Sequence, residues 1–426
     1  TFYQLNENAT QFNEYGLLDG AQQECLCALM VGTELVSTFC ENIGTELQPA
    51  FDAPTKMRWE VYTGLRKAQT IKNKENKIAS LEATLRQAQN LARTHPQAYQ
   101  NDVQQVMMSL ASAWYQYGVF ERNNTLSLQY YQNARELLSN GSDTETARLA
   151  KLALFQWAIG TTNFEQNNLL KAAAETEKGL QYAEILLATT IGDPEQVLRY
   201  ENALLGELHI LLGRIRLYQD KPEAATRMFQ KAETELVSGI NPIFHGQARL
   251  LAGEITEAAN YFETALFDNQ FAGIALSELD MLADQLPGKS TTIRAMQQKI
   301  NAQLISDTRF DTSAVQYHRY YEQINPASKK EQWKQALNLS RKSLKYALIN
   351  LEKDTIALDW PNQWLNTNLN LSFYLVLNSK DNPQALSESI EIARKSIAWI
   401  EEHYFDYRYK DLILTNLAHA LWLRNK

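Results

Sequence analysis

The chain is poor in the residues that make tight turns, with 17 glycines and 10 prolines in 426 residues, below the usual levels of about 7% and about 5%. Such scarcity leaves room for few tight turns and few strands, and points to helices. No apolar run is long enough to span a bilayer. The most apolar stretch near the start, residues 28–36, is interrupted by Gly32, Thr33 and Glu34, and the mean hydropathy is −0.40. Positive charge is not in excess: 41 Lys and Arg stand against 49 Asp and Glu, a net charge of −8, which opposes general nucleic-acid binding. Cysteine is scarce too. Cys25, Cys27 and Cys40 form an odd set with no framework, read as reduced, buried thiols of a cytoplasmic protein. A metal site on Cys25 and Cys27 would need two more ligands, and the nearest histidine is His95. Residues 1–7 lack the basic start of a secretory signal, and the first residue is not Met, so a processed or trimmed chain, or a piece of something longer, is expected.

What the chain does have is apolar periodicity. From about residue 20 onward the hydrophobic residues recur at i, i+3, i+4 and i+7, the mark of amphipathic helices. Short polar breaks punctuate this pattern, among them Gly192-Asp193-Pro194, Lys221-Pro222, Asn241-Pro242 and Pro287-Gly288. Several place Pro at the first helical turn, where its missing N–H costs nothing. Breaks at intervals of roughly 15 to 25 residues predict about eighteen helices joined by short loops. At 45% hydrophobic the chain can bury a large core, but its length exceeds the ~150 residues of a typical single domain. Growth by stacked hairpins resolves the two.

Two neighbouring segments align without gaps. Gly213, Ala225, Phe229 and Ala232 recur as Gly246, Ala258, Phe262 and Ala265, every anchor displaced by 33 positions. Gly on a first helix and Ala on a second allow close approach, and Ala, Phe, Ala at i, i+4 and i+7 form one stripe that packs hairpin on hairpin. This order of small, small, aromatic, small resembles the tetratricopeptide repeat, a helix–turn–helix unit of about 34 residues. Departures are visible: His209 and Pro242 stand at the usual Trp, and Arg216 and Arg249 at the usual Tyr. Residues 91–103, continuing to Trp114 and Tyr115 and then to Ser127, Tyr131 and Ala134, are similar to the longer bacterial and kinesin-light-chain type of repeat. The resemblance implies an all-α fold, a right-handed α-solenoid of antiparallel helical hairpins. Its expected organisation is an N-terminal helical cap over residues 1–54, tetratricopeptide-like repeats over 55–286, and degenerate hairpins with a C-terminal capping helix over 287–426. In that last part Ala336, Ala385 and Ala393 occupy close-packing places.

A search for chemistry finds no catalytic set and implies no cofactor and no metal. Pro287-Gly288-Lys289-Ser290 resembles the end of a phosphate-binding loop, but Ala283 stands where that loop needs Gly and a helical pattern precedes it instead of a strand. The histidines at 95, 209, 245, 318, 403 and 419 show no i+3 or i+4 pairing. His245-Gly246 opens a repeat helix, which favours a packing role. The carboxylates are scattered without a defined acid/base pair, and tryptophans such as Trp114 and Trp157 have the spacing of core residues. Charge is uneven. Residues 250–288 hold seven acidic residues and no Lys or Arg, residues 61–95 are basic, and residues 316–355 are basic with Lys334, Arg341 and Lys345 on one stripe. Such blocks are solvated outer faces or docking surfaces for a protein partner.

The function expected from the resemblance is a non-catalytic scaffold that binds a partner protein or peptide along a groove lined by first helices. In the two clear repeats that face carries Ile210, Arg214, Leu217, Ile243, Phe244, Gln247 and Leu250. It is mostly apolar and unlike a clamp for a C-terminal carboxylate, so an amphipathic helix or apolar strand is the expected guest. Lys334, Arg341 and Lys345 form a secondary basic surface. One alternative is the regulatory module of a larger bacterial effector, fused to or docked on a partner such as a caspase-like CHAT protease. A second is a nucleic-acid-binding helical repeat, which the net charge opposes; nor is a membrane partner expected.

Overall fold

Amphipathic stripes with polar, Pro-started breaks give helices joined by short turns. The computed structural model describes residues 53–425, apart from positions 95, 122–123, 140–145, 190–193, 237–238, 331, 354–358, 381, 404, 406 and 408. The cysteines and the expected cap over residues 1–54 lie outside the described residues, except for positions 53 and 54. Seventeen α-helices and no strand are present among the described residues. In order they are α1 (Ala53–Thr70), α2 (Lys74–Thr94), α3 (Pro96–Phe120), α4 (Asn124–Ser139), α5 (Thr146–Glu165) and α6 (Leu169–Thr189). Then come α7 (Pro194–Tyr218), α8 (Pro222–Glu235), α9 (Pro242–Ala252), α10 (Ile255–Ala265), α11 (Asn269–Gln285) and α12 (Ser290–Ser306). The last are α13 (Thr312–Lys329), α14 (Trp333–Lys353), α15 (Asp359–Asn378), α16 (Gln384–Glu402) and α17 (Lys410–Arg424). The Pro287–Lys289 segment is a 3-10 turn between two helices, without the preceding strand that a phosphate loop requires.

Two compact units divide the chain: residues to Glu121 with Gln129–Arg148, and Arg122–Leu128 with everything from Leu149 on. In the first unit α1, α2 and α3 pack side by side around Val61, Leu81, Val106 and Leu110. Asp102 is buried there. Its carboxylate accepts from Arg58 Nε at 2.9 Å and from the Tyr62 hydroxyl at 2.5 Å, so a buried charge is met by a cation and a donor.

In the second unit helices pack on their sequence neighbours as antiparallel hairpins: α7 with α8, α9 with α10, α11 with α12, α13 with α14 and α15 with α16, with α17 packed in turn on α16. The stack is an α-solenoid of helical hairpins. The 33-residue alignment describes real contacts. Ala225, Phe229 and Ala232, and their counterparts Ala258, Phe262 and Ala265, are all buried. The glycines make room for rings: a Cβ on Gly213 would sit 2.4 Å from Phe229 Cε1, and one on Gly246 would sit 3.1 Å from Phe262. The turns repeat too. Asp220 and Gly253, also 33 apart, both have positive φ, 54° and 87°. Their N–H groups reach Leu217 O and Leu250 O, and the next residues reach Arg216 O and Arg249 O, closing each first helix in the same way.

Farther along, Asp268 caps α11 by accepting from Phe271 N at 2.9 Å, and Asp311 caps α13 by accepting from Ser313 N at 2.8 Å. The helices α11 and α13 approach closely at Gly273. A Cβ there would fall 2.7 Å from Val315 O and 2.9 Å from Arg319 N. Ala336, Ala385 and Ala393 are buried between the last hairpins.

Candidate functional site

Within the second unit, four first helices turn one face each toward a shared recess. The stripe Trp157, Thr161, Phe164 comes from α5, and Glu207, Ile210, Arg214, Tyr218 from α7. Ile274, Ser277, Glu278 and Met281 come from α11, and Glu322, Asn325 and Pro326 from α13. Each set has i, i+3, i+4 or i+7 spacing, so each is one helical face. Together they enclose a cavity of about 320 Å³. Its walls come from residues as far apart in sequence as Trp157 and Lys330. A second, more polar hollow of about 500 Å³ adjoins it through Asn167, Met281, Pro326 and Lys330.

Ion pairs fasten the helices around the recess. Arg214 Nη2 lies 3.1 Å from Glu278 Oε1, linking α7 to α11. Arg319 reaches Asp280 at 2.7 and 2.8 Å, linking α13 to α11. Lys329 Nζ meets Glu165 Oε1 at 2.5 Å, linking residues 164 positions apart in sequence. The Arg214 guanidinium also lies 5.3 Å from the ring centroids of both Phe164 and Phe244. Burial works against its charge, but Glu278 foremost, with Tyr218 and Glu165, raises its pKa and keeps it protonated.

Not every polar group in the recess is satisfied. Ser277 is only 1% exposed and its hydroxyl has no hydrogen-bond partner. Thr161 Oγ1 and Arg214 Nε are also buried and unpartnered. Buried polar atoms of this kind are uncommon in folded proteins and ask for a reason. Glu207 and Glu322 have no ion-pair partner among the described residues. Burial pushes the carboxyl of each upward, and at Glu322 the charge of Glu278 adds to the effect.

The expected groove residues separate into two groups. Ile210 and Arg214 line the cavity, while Phe244 stands behind Arg214 and stacks on Phe229 at 5.7 Å. Leu217, Ile243 and Leu250 are buried in the core instead, because the turns of α7 and α9 press that side of each helix onto the next hairpin. Gln247 is buried as well and donates to Glu278 O at 3.3 Å, tying α9 to α11. Sequence reasoning missed the contributions of α5, α11 and α13; Trp157, read as core, packs against the core and also lines the cavity. The signal was a polar residue at helical spacing among apolar ones, Thr161 and Ser277 above all.

The secondary basic residues lie apart from this recess on α14. Arg341 Nη2 pairs with Glu388 at 2.6 Å, Lys345 Nζ stands 5.6 Å from the Tyr346 ring, and Lys334 borders a shallow hollow with Trp333 and Leu377. His245 is buried between Phe229 and Tyr261, with Nε2 2.9 Å from Glu233, a packing role. Among the described residues no three His, Cys, Asp or Glu side chains gather as a metal site, and no helix is long and apolar enough to cross a membrane.

No protein-family model matches the chain, and no curated protein matches it. Among solved structures, the crystal structure of yeast Tom70 is similar to it at 14% identity, over 100% of this chain and 96% of that chain, with a TM-score of 0.25. So slight a likeness bears on neither the recess nor its use.

Proposed function

We propose that the chain is a non-catalytic interaction scaffold, acting in the cytoplasm, that binds a partner protein or peptide on the first-helix face of its second unit. The observation that supports this most is the recess itself: four first helices contribute one stripe each, and buried polar atoms there lack partners. A solenoid uses most of its residues for packing, and its extended inner surface is the part left to vary. The recess combines aromatic walls with a few placed polar groups, the composition of a ligand-binding site. Of the residues expected from sequence, Ile210 and Arg214 belong to this surface, with Phe244 as the support of Arg214.

The test is selection from a displayed library of random nonapeptides, followed by calorimetry on the selected sequences. Ile210→Trp places a larger ring in the cavity wall and is expected to weaken the selected peptides at least tenfold, while far-UV circular dichroism stays helical. Peptides that bind the wild type and Ile210→Trp equally would remove the recess from the binding surface and send the search to Lys334, Arg341 and Lys345.

A further inference from the structure

Whatever the guest, the recess has a chemical preference. Four carboxylates line it, Glu165, Glu207, Glu278 and Glu322, against two cations, Arg214 and Lys330. Glu278 is already engaged by Arg214, and Glu165 by Lys329 from the edge of the adjoining hollow. Glu207 and Glu322 are left, on α7 and α13, with no ion-pair partner among the described residues. Independently of charge, Ser277 is one of the residues lining the same cavity, and its buried hydroxyl has no hydrogen-bond partner. The aromatic faces of Trp157 and Phe164 complete the wall. The volume is near the lower end of the range for small-ligand sites, about 300 to 1,000 Å³, suited to a long side chain and too small for a folded element.

We propose, resting on the peptide-binding reading above, that this cavity receives the cationic side chain of an arginine or lysine in the guest polypeptide. The guanidinium or ammonium group supplies charge to Glu207 and Glu322 and an N–H to the Ser277 hydroxyl, which accepts it. The aromatic walls favour the same occupant, since a cation over Trp or Phe gains attraction that grows as water is excluded. An anionic side chain meets the opposite conditions: Glu278 already neutralises the Arg214 guanidinium through Nη2, leaving only its buried Nε without a partner, and burial lowers the Lys330 ammonium pKa.

The experiment uses peptides selected from the displayed nonapeptide library, measured by calorimetry against wild type, Glu207→Gln/Glu322→Gln and Ser277→Ala. The expected result is a selected set sharing Arg or Lys at one position. Replacing that Arg by citrulline, a neutral near-isostere, should weaken binding at least tenfold, and so should the double Gln variant, which keeps size and polarity. Ser277→Ala should weaken it several-fold. Peptides that lose affinity on Ile210→Trp but contain no basic residue, or that tolerate citrulline, overturn the cation assignment and leave the scaffold reading standing. Peptides unaffected by Ile210→Trp overturn both. N-acetyl-arginine amide separates the two sources of the cation: binding as tight as that of the peptide would keep the cation and remove the guest chain.

Discussion

At the scale of single residues, the smallest side chains decide the packing. Ala258 lies flush at a hairpin contact and is fully buried, so Ala258→Leu is expected to overpack and cost about 1–3 kcal/mol, read as a lower melting temperature. An unchanged melting point would mean that the repeat register is wrong. The paired turns offer a sharper comparison. Gly253 sits at φ 87° with open space where a Cβ would be, and Asp220 occupies the equivalent place at φ 54°. Backbone strain separates the two, beside a loose, half-exposed ion pair of Asp220 with Lys289 at 3.9 Å that contributes little, so Gly253→Ala should destabilise by about 1 kcal/mol, while Asp220→Gly should stabilise or leave the protein unchanged. Denaturant titration of both variants checks it.

At the scale of the element, caps and cross-helix pairs hold the hairpins in place, and one cap is also a titrating group. Asp311 closes the start of α13 and binds Lys353 Nζ at 2.9 and 2.8 Å. Burial alone would raise its carboxyl, but Lys353, the Ser313 hydroxyl and the Ser313 N–H hold it at about 2. A carboxyl bound more weakly to protons in the folded state stabilises above its unfolded value of about 3.9, and that contribution is lost as pH falls toward 2. Asp311→Asn keeps a capping oxygen and removes the charge, so its melting temperature should fall less steeply than that of the wild type between about pH 4 and about pH 2. Asp311→Ala removes the cap as well and should cost about 1 kcal/mol at neutral pH. Parallel acid limbs in wild type and Asn variant would exclude the linkage.

At the scale of the whole molecule, binding should inherit the titration of the recess. Burial raises the Glu207 and Glu322 carboxyls above the usual range, with Glu278 adding to it at Glu322, and only the ionised forms attract a cation. Affinity for an Arg-containing peptide is therefore expected to fall as pH drops, starting above the ordinary glutamate value of about 4.3. The fall should be shallower in Glu207→Gln/Glu322→Gln. A pH-independent affinity in the wild type would mean that these carboxylates do not face the guest.

The amino-acid sequence by itself determined the helical class, the hairpin repeat and the contacts of the two aligned units, because these rest on local spacing. Ala225 with Phe229, and Ala258 with Phe262, lie within one turn of each other, and a helix fixes such pairs without reference to distant chain. Poverty in Gly and Pro said as much about strands. Which first-helix side chains face inward was decided by the tertiary structure alone. Leu217, Ile243 and Leu250 read as groove and are core, whereas Thr161, Ser277 and Glu322, which no sequence motif singles out, line the cavity. The reason is geometric: a helix shows its own stripes in sequence, but the recess forms where α5, α7, α11 and α13 converge. That convergence brings Glu165 against Lys329, a pairing that no periodicity of about 34 residues encodes.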